Sequence, residues 1–116
     1  MSFGAYVRER REALGRQDGK FSARQVAMRL GVEPSYLSKI ERGEVAPPSE
    51  ATIVKLAHEL GEDPDFLLAL GGKVSSELLE VIRKRPQLFA QIIRELKNLP
   101  DHAVLRVVRE VRDGDW

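Results

Sequence analysis

Residues 22–43 read SARQVAMRLGVEPSYLSKIERG, the pattern of two short helices joined by one tight turn. Ser22 and Gln25 are spaced as a capping box, in which two side chains satisfy free backbone N–H groups at a helix start. Gly31 is expected to end the first helix, because glycine adopts the left-handed conformation at little cost. Pro34 suits the first turn of a second helix, where no backbone N–H is needed. The stretch therefore predicts two consecutive helices.

Apolar side chains recur at helical spacing in both predicted helices. They are Val26, Ala27 and Leu30 on the first helix and Leu37 and Ile40 on the second. Gly43 is expected to close the second helix, and Val32 lies between the two as an apolar plug. A short helix pair of this kind places its second helix in the major groove of DNA. The pattern therefore indicates DNA as the ligand.

The rest of the chain also reads as helices, since no segment shows the alternation and hairpin signals of a strand. The sequence predicts an all-α fold with five helices over 1–72 and a C-terminal extension of about three helices over 73–116. A polar loop is expected over 15–20. The other helices are expected over 2–14, over 50–60 with Ser49 as its cap, from Asp63-Pro64 to Gly71, and from Ser75 or Ser76, Pro86 and Pro100-Asp101 onward.

Composition sets limits on the class of protein. The 116 residues contain no cysteine, which excludes a disulfide framework and suits a reducing compartment. No apolar run is long enough to span a membrane, and the N-terminus lacks the layout of a secretion signal. We therefore expect a cytoplasmic protein without a membrane partner.

The net charge of +1 is unevenly distributed along the chain. Residues 1–43 contain nine basic and five acidic side chains, whereas residues 44–73 contain two basic and six acidic ones. A basic face on the side of the helix pair and an acidic opposite face would orient the molecule on DNA. The alternative is a solvated surface on which the charges cluster by chance.

The three C-terminal helices are rich in apolar residues for their length. An appendage of this size cannot enclose a large core by itself. Its apolar faces must therefore be buried against the first five helices or against a second copy of the chain. We favour the second copy, because the first five helices already make a complete small domain. An intramolecular extension of one core is the alternative.

The chain resembles the phage-repressor and Cro-type helix-turn-helix regulators, the Xre family, from Tyr6 to about Leu60. The residues that carry the resemblance are Ser22, Val26-Ala27, Leu30-Gly31-Val32, the run from Ser35 to Ile40, and Glu41-Arg42-Gly43. The resemblance implies a five-helix, repressor-like domain that binds double-stranded operator DNA, usually as a homodimer. It also implies a bacterial or phage-type protein associated with the nucleoid.

The resemblance assigns roles to individual residues. Arg11 and Glu41 match a structural pair that ties the first helix to the recognition helix. Base contacts in the major groove are implied for Ser35, Tyr36, Ser38 and Lys39. Phosphate contacts are expected from Lys20, Ser22, Ala23, Arg24 and Arg42. For Tyr36 the alternative is partial packing at the helix start.

Four features depart from the family pattern. Pro34 stands where relatives use a long amide that reads bases, and Ala23 stands where they use a glutamine that touches the DNA backbone. The loop over 15–20 is several residues longer than usual. The segment 44–46, which is often basic in relatives, contains the acidic residue Glu44 and no basic residue.

No motif for catalysis, metal binding or cofactor binding is present, so we expect no enzyme activity, metal or cofactor. His58 and His102 stand alone, without the spacing of a metal site. Two functions remain open. One is a dimeric regulator that acts as a repressor. The other is an antitoxin-like protein whose C-terminal helices bind a partner and whose DNA binding serves autoregulation. Trp116 is expected either to dock on the body of the protein or to serve as a handle for a partner.

Overall fold

The computed structural model describes all residues from Met1 to Trp116 and contains eight α-helices, one 3-10 turn and no strand. The predicted all-α fold class is therefore confirmed. In chain order the elements are α1 (Phe3–Gly15), the 3-10 turn (Gly19–Phe21), α2 (Ala23–Leu30), α3 (Pro34–Glu41), α4 (Glu50–Leu60), α5 (Pro64–Leu70), α6 (Ser76–Lys84), α7 (Pro86–Leu96) and α8 (Asp101–Asp113). The chain divides into two compact units, Met1–Ser75 and Ser76–Trp116.

Local signals explain how the helix pair begins and ends. The Ser22 hydroxyl accepts a hydrogen bond from the Gln25 backbone N–H at 3.2 Å, which is one of the two bonds of the predicted capping box. The return bond from the Gln25 side chain is not formed. Gly31 has φ 75° and ends α2, and the Val32 N–H donates to the Ala27 carbonyl at 3.0 Å. Pro34 is the first residue of α3, as predicted.

The connection between α1 and α2 differs from the expected plain loop. The second half of this segment forms a 3-10 turn, Gly19–Phe21. The Asp18 carboxylate accepts a hydrogen bond from the Lys20 N–H at 3.0 Å, the local bond by which an aspartate mimics a backbone turn. The longer connection is therefore ordered by its own side chain.

Helices α1–α5 enclose one apolar core. Its buried residues are Phe3, Val7, Val26, Ala27, Leu30, Leu37, Ile40, Ile53, Leu56, Ala57, Leu60, Leu67 and Leu68. Gly4 allows α1 to approach the end of α3, because a Cβ atom at this position would clash with the Ile40 carbonyl oxygen and lie 2.8 Å from that of Glu41. This close approach fixes α3 against the core.

Within Ser76–Trp116, α6 packs against α7, and no residue of the three helices is buried. The large apolar side chains on these helices that are 37% to 61% exposed are Leu78, Val81, Leu88, Ile92, Ile93, Leu105, Val107, Val108 and Val111. Trp116 is 92% exposed, and its indole N–H donates to the Val111 carbonyl at 2.8 Å. None of the eight helices has the length and hydropathy needed to cross a membrane.

Candidate nucleic-acid interface

Helix α3 has one buried face and one open face. Leu37, Ile40 and Glu41 are buried. The positions 35, 38, 39 and 42 follow the spacing i, i+3, i+4 and i+7, so their side chains form a single stripe on the other side of the helix. This open stripe is the surface that α3 offers to a ligand.

The predicted base-contacting residues differ in how freely they project. Ser35 and Lys39 are exposed, whereas Ser38 is half-buried beside Arg8 and Arg11 of α1. Tyr36 is half-buried and packs against the apolar core. Ser35 and Lys39 are therefore the freest of the four, and part of the Tyr36 ring is used for packing.

Four of the five predicted phosphate-contacting residues lie on or next to the start of α2. Lys20 is exposed on the 3-10 turn, and Ser22 and Ala23 begin α2 with the hydroxyl of Ser22 engaged as the cap. Arg24 is exposed and, like Lys20 and Lys39, forms no ion pair in the protein. These cations are free to contact an anion.

Arg42 differs from the other predicted phosphate contacts because it already has an anionic partner. Its guanidinium donates two hydrogen bonds of 3.1 Å to the Glu44 carboxylate. This bonding holds the pKa of Glu44 below its ordinary value and raises the pKa of Arg42. A phosphate would have to compete with Glu44 for this guanidinium.

Arg11 and Glu41 form a paired contact between α1 and α3. The Arg11 Nε and Nη2 atoms each donate to a Glu41 carboxylate oxygen at 2.8 Å, and Nη1 donates to the Phe21 carbonyl at 3.0 Å. The two side chains are only 11% and 4% exposed. The bonds to Glu41 raise the pKa of Arg11. One arginine thus joins α1, the 3-10 turn and α3.

One known protein family matches the part of the chain that contains α1–α5. The model of the family described as helix-turn-helix domain matches residues 2–70, which is more than half of the chain. The chain belongs to the helix-turn-helix domain family. The predicted resemblance to helix-turn-helix proteins is thereby confirmed.

A curated relative extends the comparison. The uncharacterized HTH-type transcriptional regulator RghRB of Bacillus subtilis (strain 168) is 35% identical to this chain over 74 residues, which is 64% of this chain and 50% of the relative. The chain therefore spans about half the length of that relative. No solved structure matches the chain significantly.

Three features of this helix-turn-helix unit were not predicted from the sequence. Glu33, not a small polar residue, is the N-cap of α3, as its place before Pro34 implies. Arg29 of α2 is paired with Glu59 of α4 at 2.6 Å and stacks 5.5 Å above the Phe21 ring. The close approach at Gly4 is the third. The N-cap could have been predicted, because it is the residue before a proline that starts a helix. The contacts of Arg29 and the close approach at Gly4 depend on tertiary packing.

Proposed function

We propose that the chain is a sequence-specific DNA-binding transcriptional regulator, and that it represses transcription by occupying its operator. The observation that carries this proposal is the stripe of α3 at positions 35, 38 and 39, continued by Arg42 after the helix, which lies opposite the buried face and on which Ser35 and Lys39 are exposed. Unpaired cations at Lys20 and Arg24 flank the start of the preceding helix. This combination of a readable helix face and free cations suits duplex DNA.

The chemistry of the stripe suits the major groove. A lysine at position 39 can donate to the O6 and N7 atoms of guanine, and serine hydroxyls at 35 and 38 can pair with several bases. Contacts from Lys20, Arg24 and the N–H groups at the start of α2 to phosphates would supply most of the affinity and fix the register. Arg42 would add a phosphate contact after exchanging Glu44 for the DNA backbone. Tyr36 would contribute through its exposed edge.

A single stripe reads only a few base pairs, so we propose that two copies bind together as a homodimer. The site is then a pseudo-palindrome with half-site centres about 34 Å apart, or a multiple of this distance. In this proposal residues 1–72 form the DNA-binding domain and residues 73–116 form the dimerisation element.

Two properties of Ser76–Trp116 support a second copy as the partner. Nine large apolar side chains on α6–α8 are 37% to 61% exposed, and a two-fold interface would let the same apolar faces of two copies cover each other. The unit contains eight basic and seven acidic residues in mixed order, so two copies would not repel each other. A strongly charged partner would instead call for a surface of one sign.

The function is tested by selecting bound sequences from a random DNA pool with the wild-type protein and with Lys39→Ala. We expect a two-fold symmetric site for the wild type, and for the variant a loss of about 1–3 kcal/mol and relaxed selectivity at one or two positions. Lys55→Ala, at an exposed position of α4 outside the proposed dimerisation element, is the matched control and should bind as the wild type does. Selection of no preferred sequence by the wild type would refute the proposal.

Light scattering on the same samples tests the assembly. A dimer that persists at the concentrations used for DNA binding is expected. A monomer that leaves the apolar faces of α6–α8 open would refute the homodimer and would support the other function, in which these helices bind a different protein.

A further inference from the structure

Helix α3 is the one helix of Met1–Ser75 that has no side-chain cap at its N-terminus. The caps of the other four α-helices are Ser2, Ser22, Ser49 and Asp63, and each accepts a hydrogen bond from a backbone N–H of its helix. Glu33 occupies the equivalent position of α3 with extended backbone angles, φ −68° and ψ 140°, and forms no such bond. Serine, threonine, aspartate and asparagine are preferred at this position because their short side chains reach back to the backbone. Glutamate is therefore not explained by capping.

The carboxylate of Glu33 also has no partner elsewhere in the protein. Its side chain is exposed and takes part in no ion pair or hydrogen bond. It lines an open depression together with Arg24, Met28, Val32 and Pro34. Although Arg24 lines the same depression, its guanidinium forms no ion pair with the Glu33 carboxylate. Both carboxylate oxygens of Glu33 are thus available to an external donor.

The position of Glu33 restricts the nature of that donor. The N-terminal residues of a recognition helix are those that contact base edges in the major groove. Pro34, the first residue of α3, has neither a side-chain donor nor a backbone N–H to offer. Contact at this end of the helix therefore falls to the residues on either side, which are Glu33 and Ser35.

We propose that Glu33 is a specificity-determining residue that accepts a hydrogen bond from the N4 amino group of a cytosine; this inference rests on the DNA-binding function proposed above. A carboxylate only accepts hydrogen bonds, and the donors in the major groove are cytosine N4 and adenine N6. Next to adenine N6 lies N7, an acceptor that repels a carboxylate. Cytosine is therefore the base that Glu33 selects.

The same charge acts against binding at other sequences. A carboxylate close to the phosphate backbone weakens the non-specific attraction on which DNA binding depends. At a matched site the hydrogen bond to cytosine offsets this repulsion, and at a mismatched site nothing does. Glu33 thus increases discrimination through a repulsive element as well as an attractive one.

The test compares Glu33→Gln with the wild type by selection from a random DNA pool and by titration of matched and mismatched duplexes. The wild type should select cytosine at one position in each half-site by about ten-fold or more. Glu33→Gln should move that preference to adenine, because an amide pairs with adenine N6 and N7, and should bind all sequences more tightly. Glu9→Gln makes the same change of charge on α1, at an exposed side chain outside the proposed DNA contacts and the proposed dimerisation element, and should leave the base preference unchanged.

A second variant separates base reading from folding. Glu33→Ser supplies the missing cap and should raise the thermal midpoint by about 4 °C while abolishing the cytosine preference. An unchanged preference in Glu33→Gln and Glu33→Ser would overturn the inference and leave the DNA-binding function standing. Absence of any preferred sequence in the wild type, together with no effect of Lys39→Ala, would instead mean that the proposed function itself has failed.

Discussion

The two units of this chain have the same secondary structure and very different interiors. Met1–Ser75 buries thirteen apolar residues in one core, whereas none of the residues of α6–α8 is buried. Helix propensity and local pairs alone leave helices of this length marginal in water. The first unit therefore has a core of its own, and we expect the second to be stable only where another surface covers its apolar faces.

Ion pairs show the same contrast at the level of single contacts. The Arg11–Glu41 pair is 11% and 4% exposed and joins two helices, while the Arg106–Glu110 pair of α8 is 82% and 67% exposed and lies within one turn of a helix. A pair of the first kind holds a tertiary arrangement, and one of the second kind is largely hydrated. Substitutions at the two pairs should therefore differ in their effect on the free energy of unfolding.

Removal of one buried partner should have the largest effect. Arg11→Met leaves the Glu41 carboxylate buried without its cation, so we expect the free energy of unfolding to fall by about 3–5 kcal/mol. Urea denaturation measures this loss. Arg106→Met is the matched control and should cause little measurable change. The double variant Arg11→Met/Glu41→Met should recover most of the loss. Equal effects of the two single variants would contradict the contrast between the units.

Truncation of apolar side chains tests the contrast directly. Leu60→Ala removes a fully buried side chain and should cost about 2–5 kcal/mol at any protein concentration. Ile92→Ala removes a side chain that is 53% exposed, so in a single copy it should change little. If α6–α8 pair between copies, the effect of Ile92→Ala should instead appear as weaker dimerisation. Light scattering and denaturation at two protein concentrations separate these outcomes.

Close packing at Gly4 should produce the next largest effect. The Cβ of Gly4→Ala would clash with the carbonyl oxygen of Ile40, and α1 would have to shift away from α3 at a cost of about 1–3 kcal/mol. Gly19→Ala is the control, because no atom of a residue beyond its two chain neighbours lies within 4 Å of its Cβ position. Thermal unfolding of both variants measures the difference. A stable Gly4→Ala with unaltered DNA binding would mean that α1 does not fix α3.

The helix boundaries were predictable wherever several local signals agree. Helix α4 runs from Glu50 to Leu60 with Ser49 as its cap, as predicted, because a capping serine, an apolar period and a following glycine all mark the same segment. The apolar faces of α2 and α3 were predictable for the same reason. The 3-10 turn at Gly19–Phe21 was not, since a polar segment with two glycines gives no periodicity to read.

Features that arise from tertiary contact could not be read from the sequence. Leu68 is fully buried, whereas Phe66 on the same helix remains 43% exposed and forms a T-shaped contact with the Tyr6 ring, because the orientation of so short a helix depends on its neighbours. The need for glycine at position 4 likewise arises only from the close approach of α1 to the end of α3, which the sequence of α1 does not predict. The contacts predicted for Ser35, Lys39 and the expected phosphate-contacting residues stay predictions, because they are contacts with DNA and not within the protein.

The smallest effect is expected at the contact between α1 and the turn after α4. The Tyr6 hydroxyl donates a 2.7 Å hydrogen bond to Glu62, and this bond raises the pKa of Tyr6 above its ordinary value. Tyr6→Phe should therefore lower the free energy of unfolding by about 1 kcal/mol at neutral pH. Because the folded-state pKa is raised, this contribution is complete below the unfolded-state pKa of 10.0 and is lost as the pH rises through the folded-state value. The variant should thus lack this part of the alkaline loss of stability. Tyr36→Phe is the control, because it removes a hydroxyl without a hydrogen bond and should retain the loss of stability at alkaline pH. Identical alkaline profiles for the wild type and Tyr6→Phe would exclude the bond as a source of stability.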